Sequence, residues 1–120
     1  MNIMSCVLIL NENRLERDNM RDILARGLPQ TQVLAAAVPQ QALELLAEGP
    51  VNLLIADVPW FDADYCNMIT SAKELAPDMP SLVTSTGRRS DIVANVWRLG
   101  VQDYLLKPYR PEWQSGLTLS

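Results

Sequence analysis

Short apolar runs alternate along the chain with longer segments whose apolar residues recur at helical spacing. Strands covered on both faces have no polar face, so they take the form of continuous apolar runs. Five segments fit this description and are predicted to be strands: MSCVLIL, QVLAAAV, NLLIAD, PSLVTST and VQDYLL. The order βαβαβαβαβ, joined by right-handed crossovers, predicts an α/β fold in which helices cover both faces of a five-stranded parallel sheet.

The segments between the apolar runs carry helix signals. They predict helices over residues 14–26, 39–49, 64–75 and 90–100. Pro39 and Ser90 suit helix starts, and glycine or proline stands at or just after the end of every predicted helix. A fifth helix should follow KPYRPEW, but the closing QSGLTLS contains a glycine and three hydroxyl residues. We therefore expect the fifth helix to be short or truncated.

Composition limits the class of protein. The 120 residues suit a single domain, 1–120, and a hydrophobic share of 48% is enough to build a core. The net charge is −4, and the basic residues cluster only at Arg88–Arg89, so direct nucleic-acid binding is not expected. The apolar start MNIMSCVLIL is too short to cross a bilayer and lacks signal-peptide features. We expect a cytoplasmic protein without a membrane partner.

Two absences exclude several kinds of active site. The sequence has no histidine, which excludes Ser–His–Asp triads, Cys–His dyads and most zinc sites. The five glycines are isolated, so they form no phosphate-binding loop. Cys6 and Cys66 are interpreted as reduced thiols, because nothing in their context indicates a disulfide framework.

Polar residues follow the predicted strands at the points where the strands end. They are Asn11 and Glu12 after the first strand, Asp57 at the third, Thr84, Ser85 and Thr86 at the fourth, and Lys107 at the fifth. Singly, each of these is more often a turn or cap residue. Together they would meet at one edge of a parallel sheet, where open α/β folds bind ligands. Carboxylate and amide oxygens suit Mg²⁺ there.

The same cluster has the chemistry for phosphoryl transfer. An ionised Asp57 is a nucleophile of the kind that forms aspartyl phosphates. Lys107 and a hydroxyl at a strand end would bind the phosphoryl oxygens and offset their charge. The apolar strand before Asp57 would hold the carboxylate rigidly at the sheet edge.

The sequence resembles the receiver domain of bacterial two-component response regulators. The resemblance covers roughly residues 6–112 and depends on VLILNEN, NLLIAD, LVTST and DYLLKP. Measured from Asp57, Ser85 lies 28 residues on, Tyr104 lies 47 on and Lys107 lies 50 on. These intervals match the phosphoacceptor, the hydroxyl switch residue, the aromatic switch residue and the lysine of a receiver.

The resemblance implies a flavodoxin-like sheet in the order 2-1-3-4-5 and a protein that is not an enzyme beyond Mg²⁺-assisted self-phosphorylation and dephosphorylation. Asp57 would accept a phosphoryl group from a histidine kinase or phosphotransfer protein. Ser85 and Tyr104 would switch a protein-interaction face, with Lys107 at the phosphoryl group. The implied Mg²⁺ ligands are Glu12, Asp57, the backbone carbonyl of Pro59 and, indirectly, Asn11.

Several residues depart from the receiver pattern. The acidic pair that usually follows the first strand is Asn11–Glu12 here, which removes one negative charge and predicts weaker Mg²⁺ binding. Pro59 stiffens the acceptor loop, and Thr86 stands where a small residue is common. A second hypothesis therefore stays open. The chain would then be a pseudo-receiver, an interaction module that keeps the fold and does not use phosphorylation.

The resemblance leaves the other partners open. The sequence contains no effector domain, so we expect either a stand-alone receiver or the front of a longer regulator that carries an output domain. Apolar surface near Leu105, exposed by a truncated fifth helix, would favour a homodimer. Trp97 would lie on the output face or pack in the core, and the sequence does not distinguish the two.

Overall fold

A computed structural model describes residues 5–58, 63–86 and 103–107, and the side chains of residues 5–58 and 63–85. The elements are β1 (Ser5–Leu10), α1 (Arg14–Gly27), β2 (Thr31–Ala36), α2 (Pro39–Glu48), β3 (Leu53–Asp57), α3 (Ala63–Leu75), β4 (Ser81–Thr86) and β5 (Asp103–Lys107). The helices predicted over residues 90–100 and near the carboxyl terminus lie outside the described residues.

The strands form one sheet in the order β2-β1-β3-β4-β5, and all the pairs are parallel. This order confirms the prediction. The central strands β1 and β3 pair Leu8 with Leu54 and Leu10 with Ala56. Their carboxyl ends therefore lie side by side at one edge of the sheet, which is the edge that the sequence identifies as the candidate site.

The core lies on both faces of the sheet. One face of β1 carries Cys6, Leu8 and Leu10, which belong to the larger apolar cluster with residues of α2 and α3. The other face carries Val7 and Ile9, whose smaller cluster includes partly buried residues of α1. Successive strand residues point to opposite faces. The strand is covered on both sides, and this is why its sequence is a continuous apolar run.

The helices differ in how deeply they are buried. In α3, Tyr65, Met68, Ile69 and Ala72 are buried and recur at helical spacing. In α1 no residue is fully buried, and Leu15 is 71% exposed. Its start is nevertheless well defined, because the Asn13 side chain accepts a hydrogen bond of 3.0 Å from the Glu16 backbone amide. None of the described helices is long and apolar enough to span a membrane.

The second strand ends two residues earlier than QVLAAAV indicates. β2 stops at Ala36, and Val38 is instead the exposed residue that precedes α2. The partner strand β1 ends at Leu10, and the last main-chain bond runs from the Asn11 amide to the Ala36 carbonyl at 3.0 Å. Beyond this bond no described strand continues the ladder of β2, and Pro39 starts the helix.

Candidate functional site

The candidate site is built around Asp57, the last residue of β3. The strand that precedes it is held in place on both sides, by β1 and by β4. Asp57 is 5% exposed although it carries an ionisable carboxylate. Burial of a carboxylate is costly unless hydrogen bonds compensate for the lost water. The buried carboxylate of Asp57 therefore needs hydrogen-bond donors around it, and β4 supplies one of them.

Thr84 of β4 provides a direct hydrogen bond to this carboxylate. The two residues are in register, and Thr84 Oγ1 donates to Asp57 Oδ1 at 2.8 Å. Thr84 is 4% exposed, and its carbonyl accepts the Val58 amide at 2.8 Å. A hydroxyl that donates to an ionised carboxylate makes a charge-assisted bond, which is stronger than a bond between neutral groups. Thr84 therefore fixes one carboxylate oxygen on the β4 side of Asp57.

Ser85, the hydroxyl residue that the sequence assigns to the switch, is fully buried at the end of the same strand. It follows Thr84 directly, so the two side chains leave the strand on opposite faces. In the sequence, Thr84 is one of three hydroxyl residues at the end of the strand and has no predicted role of its own. The register of two adjacent parallel strands was the signal that could have identified it.

Asn11 lies at the same edge, at the end of the neighbouring strand β1. It is buried, and its side-chain oxygen accepts the Asn13 amide at 2.8 Å. Its carbonyl accepts Arg17 Nη1 at 2.8 Å. The Asn11 amide oxygen thus closes a local turn, and a guanidinium lies against the main chain of this residue. Glu12, the other implied metal ligand on this side, is exposed.

The backbone of β5 brings the remaining predicted residues to this part of the sheet. Lys107 pairs with Thr86 at the carboxyl edge, and Tyr104 pairs with Val83 further back along the strand. Neighbouring strands are about 4.8 Å apart, so β5 lies about 10 Å from β3 across the sheet. The structure describes only the backbone of Tyr104 and Lys107. Pro59, the third implied metal ligand, lies outside the described residues.

The oxygen donors predicted at this edge of the sheet suit a hard cation. They carry less negative charge than they would if two acidic residues accompanied Asp57. Among residues 5–58, 63–86 and 103–107 no group of three or more His, Cys, Asp or Glu side chains forms a metal site. The donors predicted from the sequence, Asp57, Glu12 and Asn11, all carry oxygen, which Mg²⁺ prefers as a ligand. The residues present are compatible with Mg²⁺, and the neutral Asn11 makes the attraction weaker.

Open parallel α/β sheets bind ligands outside the carboxyl ends of their strands, and the buried carboxylate of Asp57 lies at that edge. A sequence model of the family described as the response regulator receiver domain matches residues 7–113. The chain therefore belongs to the response regulator receiver domain family, and the resemblance drawn from the sequence is confirmed. Domains of this family are signalling modules and generally not enzymes.

Curated relatives agree with the family assignment. An NtrX-like response regulator of Rickettsia bellii is 29% identical over 99 residues, which cover 78% of this chain and 20% of the relative. The response regulator protein FleR of Pseudomonas aeruginosa is 27% identical over 103 residues, which cover 86% of this chain and 21% of that protein. The chain thus spans about a fifth of the length of these relatives.

Solved structures support the fold. A CheY-like response regulator receiver domain from Methanospirillum hungatei superposes with a TM-score of 0.82 at 19% identity, over 98% of this chain and 92% of the other. The chemotaxis protein CheY4 of Vibrio cholerae gives a TM-score of 0.80 at 18% identity, with 98% of each chain covered. At these identities the likeness is one of fold, and the flavodoxin-like architecture is confirmed. The roles of individual site residues remain predictions.

Proposed function

We propose that the chain is a phosphoacceptor receiver of a two-component pathway, with Asp57 as the residue that accepts the phosphoryl group. The observation that carries the proposal is the burial of an aspartate at the carboxyl end of the central strand β3, hydrogen-bonded on its β4 side. A structural turn residue would more commonly be solvated there. The membership of the chain in the receiver family supports the same interpretation.

The chemistry is in-line displacement at phosphorus. A carboxylate oxygen of Asp57 forms a bond to phosphorus while the bond from phosphorus to an imidazole nitrogen of the donor breaks, and the electron pair stays on that nitrogen. The protein contributes mainly position and charge stabilisation to such a transfer. Lys107 would offset charge on the phosphoryl oxygens. Ser85 leaves β4 on the face opposite to the Thr84–Asp57 bond, so it would turn toward the phosphoryl group to donate to one of its oxygens. Mg²⁺ would supply further charge neutralisation when it is bound.

The proposed metal ligands are the carboxylates of Glu12 and Asp57 and the backbone carbonyl of Pro59, with Asn11 acting indirectly. Two carboxylates and a carbonyl are oxygen donors of the type that Mg²⁺ prefers. The Asn11 side-chain oxygen is already engaged with the Asn13 amide, which agrees with an indirect role. We expect the affinity for Mg²⁺ to be low for the family.

Phosphorylation would act on an interaction face through Ser85 and Tyr104. The proposed donor is a histidine kinase or a phosphotransfer protein, in the cytoplasm. The relatives are about five times longer than the segment that they share with this chain. An output domain in a longer chain is therefore one candidate target of the interaction face. A second copy of the domain is another.

A pseudo-receiver is the second candidate function. Two observations favour it, the neutral Asn11 in the acidic position and the Arg17 guanidinium on the carbonyl of that residue. Both lower the negative charge available to a metal. Such a module would signal by binding other proteins through its surface, and Asp57 would be a buried polar residue that accepts no phosphoryl group.

Intact mass after incubation with a small acyl phosphate separates the two functions. The wild-type chain is expected to gain one phosphoryl group in the presence of Mg²⁺, and less without it. Asp57→Asn removes the nucleophile at nearly constant shape and should gain none. Asp64→Asn, on the exposed first turn of α3, is the matched control and should behave like the wild type. No gain at any Mg²⁺ concentration would favour the pseudo-receiver.

A further inference from the structure

The hydrogen bond between Thr84 and Asp57 has a consequence for the chemistry of the carboxylate. Thr84 Oγ1 lies 2.8 Å from Asp57 Oδ1, and both side chains are almost completely buried. The donor belongs to a strand whose position is fixed by backbone bonds to β3 and β5. The hydroxyl is therefore held against the carboxylate, and the strength of this bond depends on the charge that the carboxylate carries.

That charge changes during the phosphoryl cycle. The free carboxylate carries a full negative charge, which makes it a strong acceptor. Once one of its oxygens is bonded to phosphorus, the former carboxylate is the acyl part of an acyl phosphate and no longer carries a charge of its own. Both of its oxygens are then weaker hydrogen-bond acceptors. Hydrogen bonds to charged groups contribute roughly twice as much as bonds between neutral groups. The Thr84 bond therefore favours the free carboxylate over the phosphorylated form.

We propose that the Thr84 hydroxyl shortens the lifetime of the aspartyl phosphate at Asp57. The proposal rests on the phosphoacceptor function proposed above. In hydrolysis the oxygen of water bonds to phosphorus, the Asp57 oxygen–phosphorus bond breaks, and its electron pair returns to the carboxylate. Inorganic phosphate leaves, with the protons of water passing to it and to solvent. The transition state of phosphoryl transfer is loose, so much of this charge has already returned when the barrier is crossed.

A bond that is stronger in the transition state than in the starting state accelerates a reaction. Thr84 meets this condition in hydrolysis, where the carboxylate gains charge. In phosphorylation the carboxylate starts with its full charge and retains much of it at a loose transition state, so the hydroxyl stabilises both states to a similar extent. The two directions should respond unequally to loss of the hydroxyl, and a general disturbance of packing would slow both.

The test compares Thr84→Val, which has nearly the same shape and no hydroxyl, with Thr84→Ser, which keeps the hydroxyl. Each full chain is phosphorylated with a small acyl phosphate and Mg²⁺, the donor is removed, and the decay is followed by intact mass. We expect the decay of Thr84→Val to be about fivefold slower than that of the wild type, from the weaker bond in the phosphorylated form. Its phosphorylation rate should fall less than its decay rate, and Thr84→Ser should restore the decay to within about twofold.

Each other outcome has a distinct meaning. A decay of Thr84→Val that equals or exceeds the wild-type rate would overturn the role of Thr84, as would equal slowing in Thr84→Val and Thr84→Ser. A wild-type chain that gains no phosphoryl group would overturn the phosphoacceptor function and this inference together. Melting temperatures of all the variants are measured first. If Thr84→Val does not fold, Thr84→Ala replaces it in the same comparison with Thr84→Ser.

Discussion

The residues next to Asp57 determine how much negative charge the site can offer. Asn11 contributes a neutral amide whose oxygen is already hydrogen-bonded to the Asn13 amide. Arg17, on the first helix, donates through Nη1 to the Asn11 carbonyl at 2.8 Å and so adds a positive charge at the same edge of the sheet. A fixed cation repels a divalent metal over several ångströms, and more so at low ionic strength. Arg17 is therefore expected to weaken Mg²⁺ binding.

Replacement of this charge gives a prediction at the residue scale. Arg17→Gln is expected to bind Mg²⁺ about threefold more tightly in calorimetric titration at low salt, because one repulsive charge is removed. Arg17→Lys keeps the charge and should stay near the wild-type affinity. Arg21→Gln makes the same change in net charge on an exposed part of the helix, one turn further on. An equal gain in Arg17→Gln and Arg21→Gln would show that only net charge matters.

The helices that cover the sheet contribute very differently to stability. The third helix buries four side chains in the main core, and Met68 is among the largest that are fully buried. The first helix buries none completely and depends on its cap and on partly buried Met20 and Leu24. Removal of buried atoms costs transfer free energy and leaves a cavity. The third helix is therefore the more sensitive element.

Met68→Ala is expected to lower the free energy of unfolding by about 2–4 kcal/mol, because the side chain has no exposed surface and its loss leaves a cavity. Leu75→Ala provides the control in the same helix, since Leu75 is 54% exposed. Its effect should stay within about 0.5 kcal/mol. Urea denaturation followed by circular dichroism measures both. Similar losses in the two variants would contradict the burial argument.

At the scale of the whole molecule, the central strands lie in the buried core of the described structure. Cys6 lies in β1, between β2 and β3, and is 6% exposed. Burial raises the pKa of its thiol above the ordinary value. Cys66 lies in α3 and is only partly buried. The thiolate is the form that reacts with alkylating reagents. Because the two cysteines differ in burial, their alkylation rates should differ.

Alkylation with iodoacetamide is expected to modify Cys66 first. Near pH 8 the raised pKa leaves a smaller fraction of Cys6 as thiolate than the ordinary value would. Access to its sulfur also requires the larger core cluster, in which the side chain packs, to open. The labelling of Cys6 should therefore become fast only when denaturant unfolds the chain. Peptide mass spectrometry after timed labelling measures both rates. Equal rates in the native protein would show that the core around Cys6 opens without global unfolding.

The fold was predictable because its signals are local. Continuous apolar runs such as NLLIAD and helical spacing in the segments between them depend on neighbours in the chain, so all eight described elements appear near their predicted positions. The end of β2 was predicted two residues too late, since Ala37 and Val38 are apolar and the sequence does not show where the partner strand stops. A strand boundary is a property of the pair of strands.

The candidate site also has a part that the sequence predicts and a part that only the tertiary structure shows. The sequence alone predicted that Asp57, Asn11 and Glu12 follow or end neighbouring strands, because residues at strand ends and their spacing are visible in one dimension. Only the tertiary structure decided that Thr84 is the hydroxyl that bonds to Asp57, through a register that pairs two residues 27 positions apart in the sequence. Register depends on how the apolar faces of two strands align across the core, so the residues around Thr84 do not specify it by themselves.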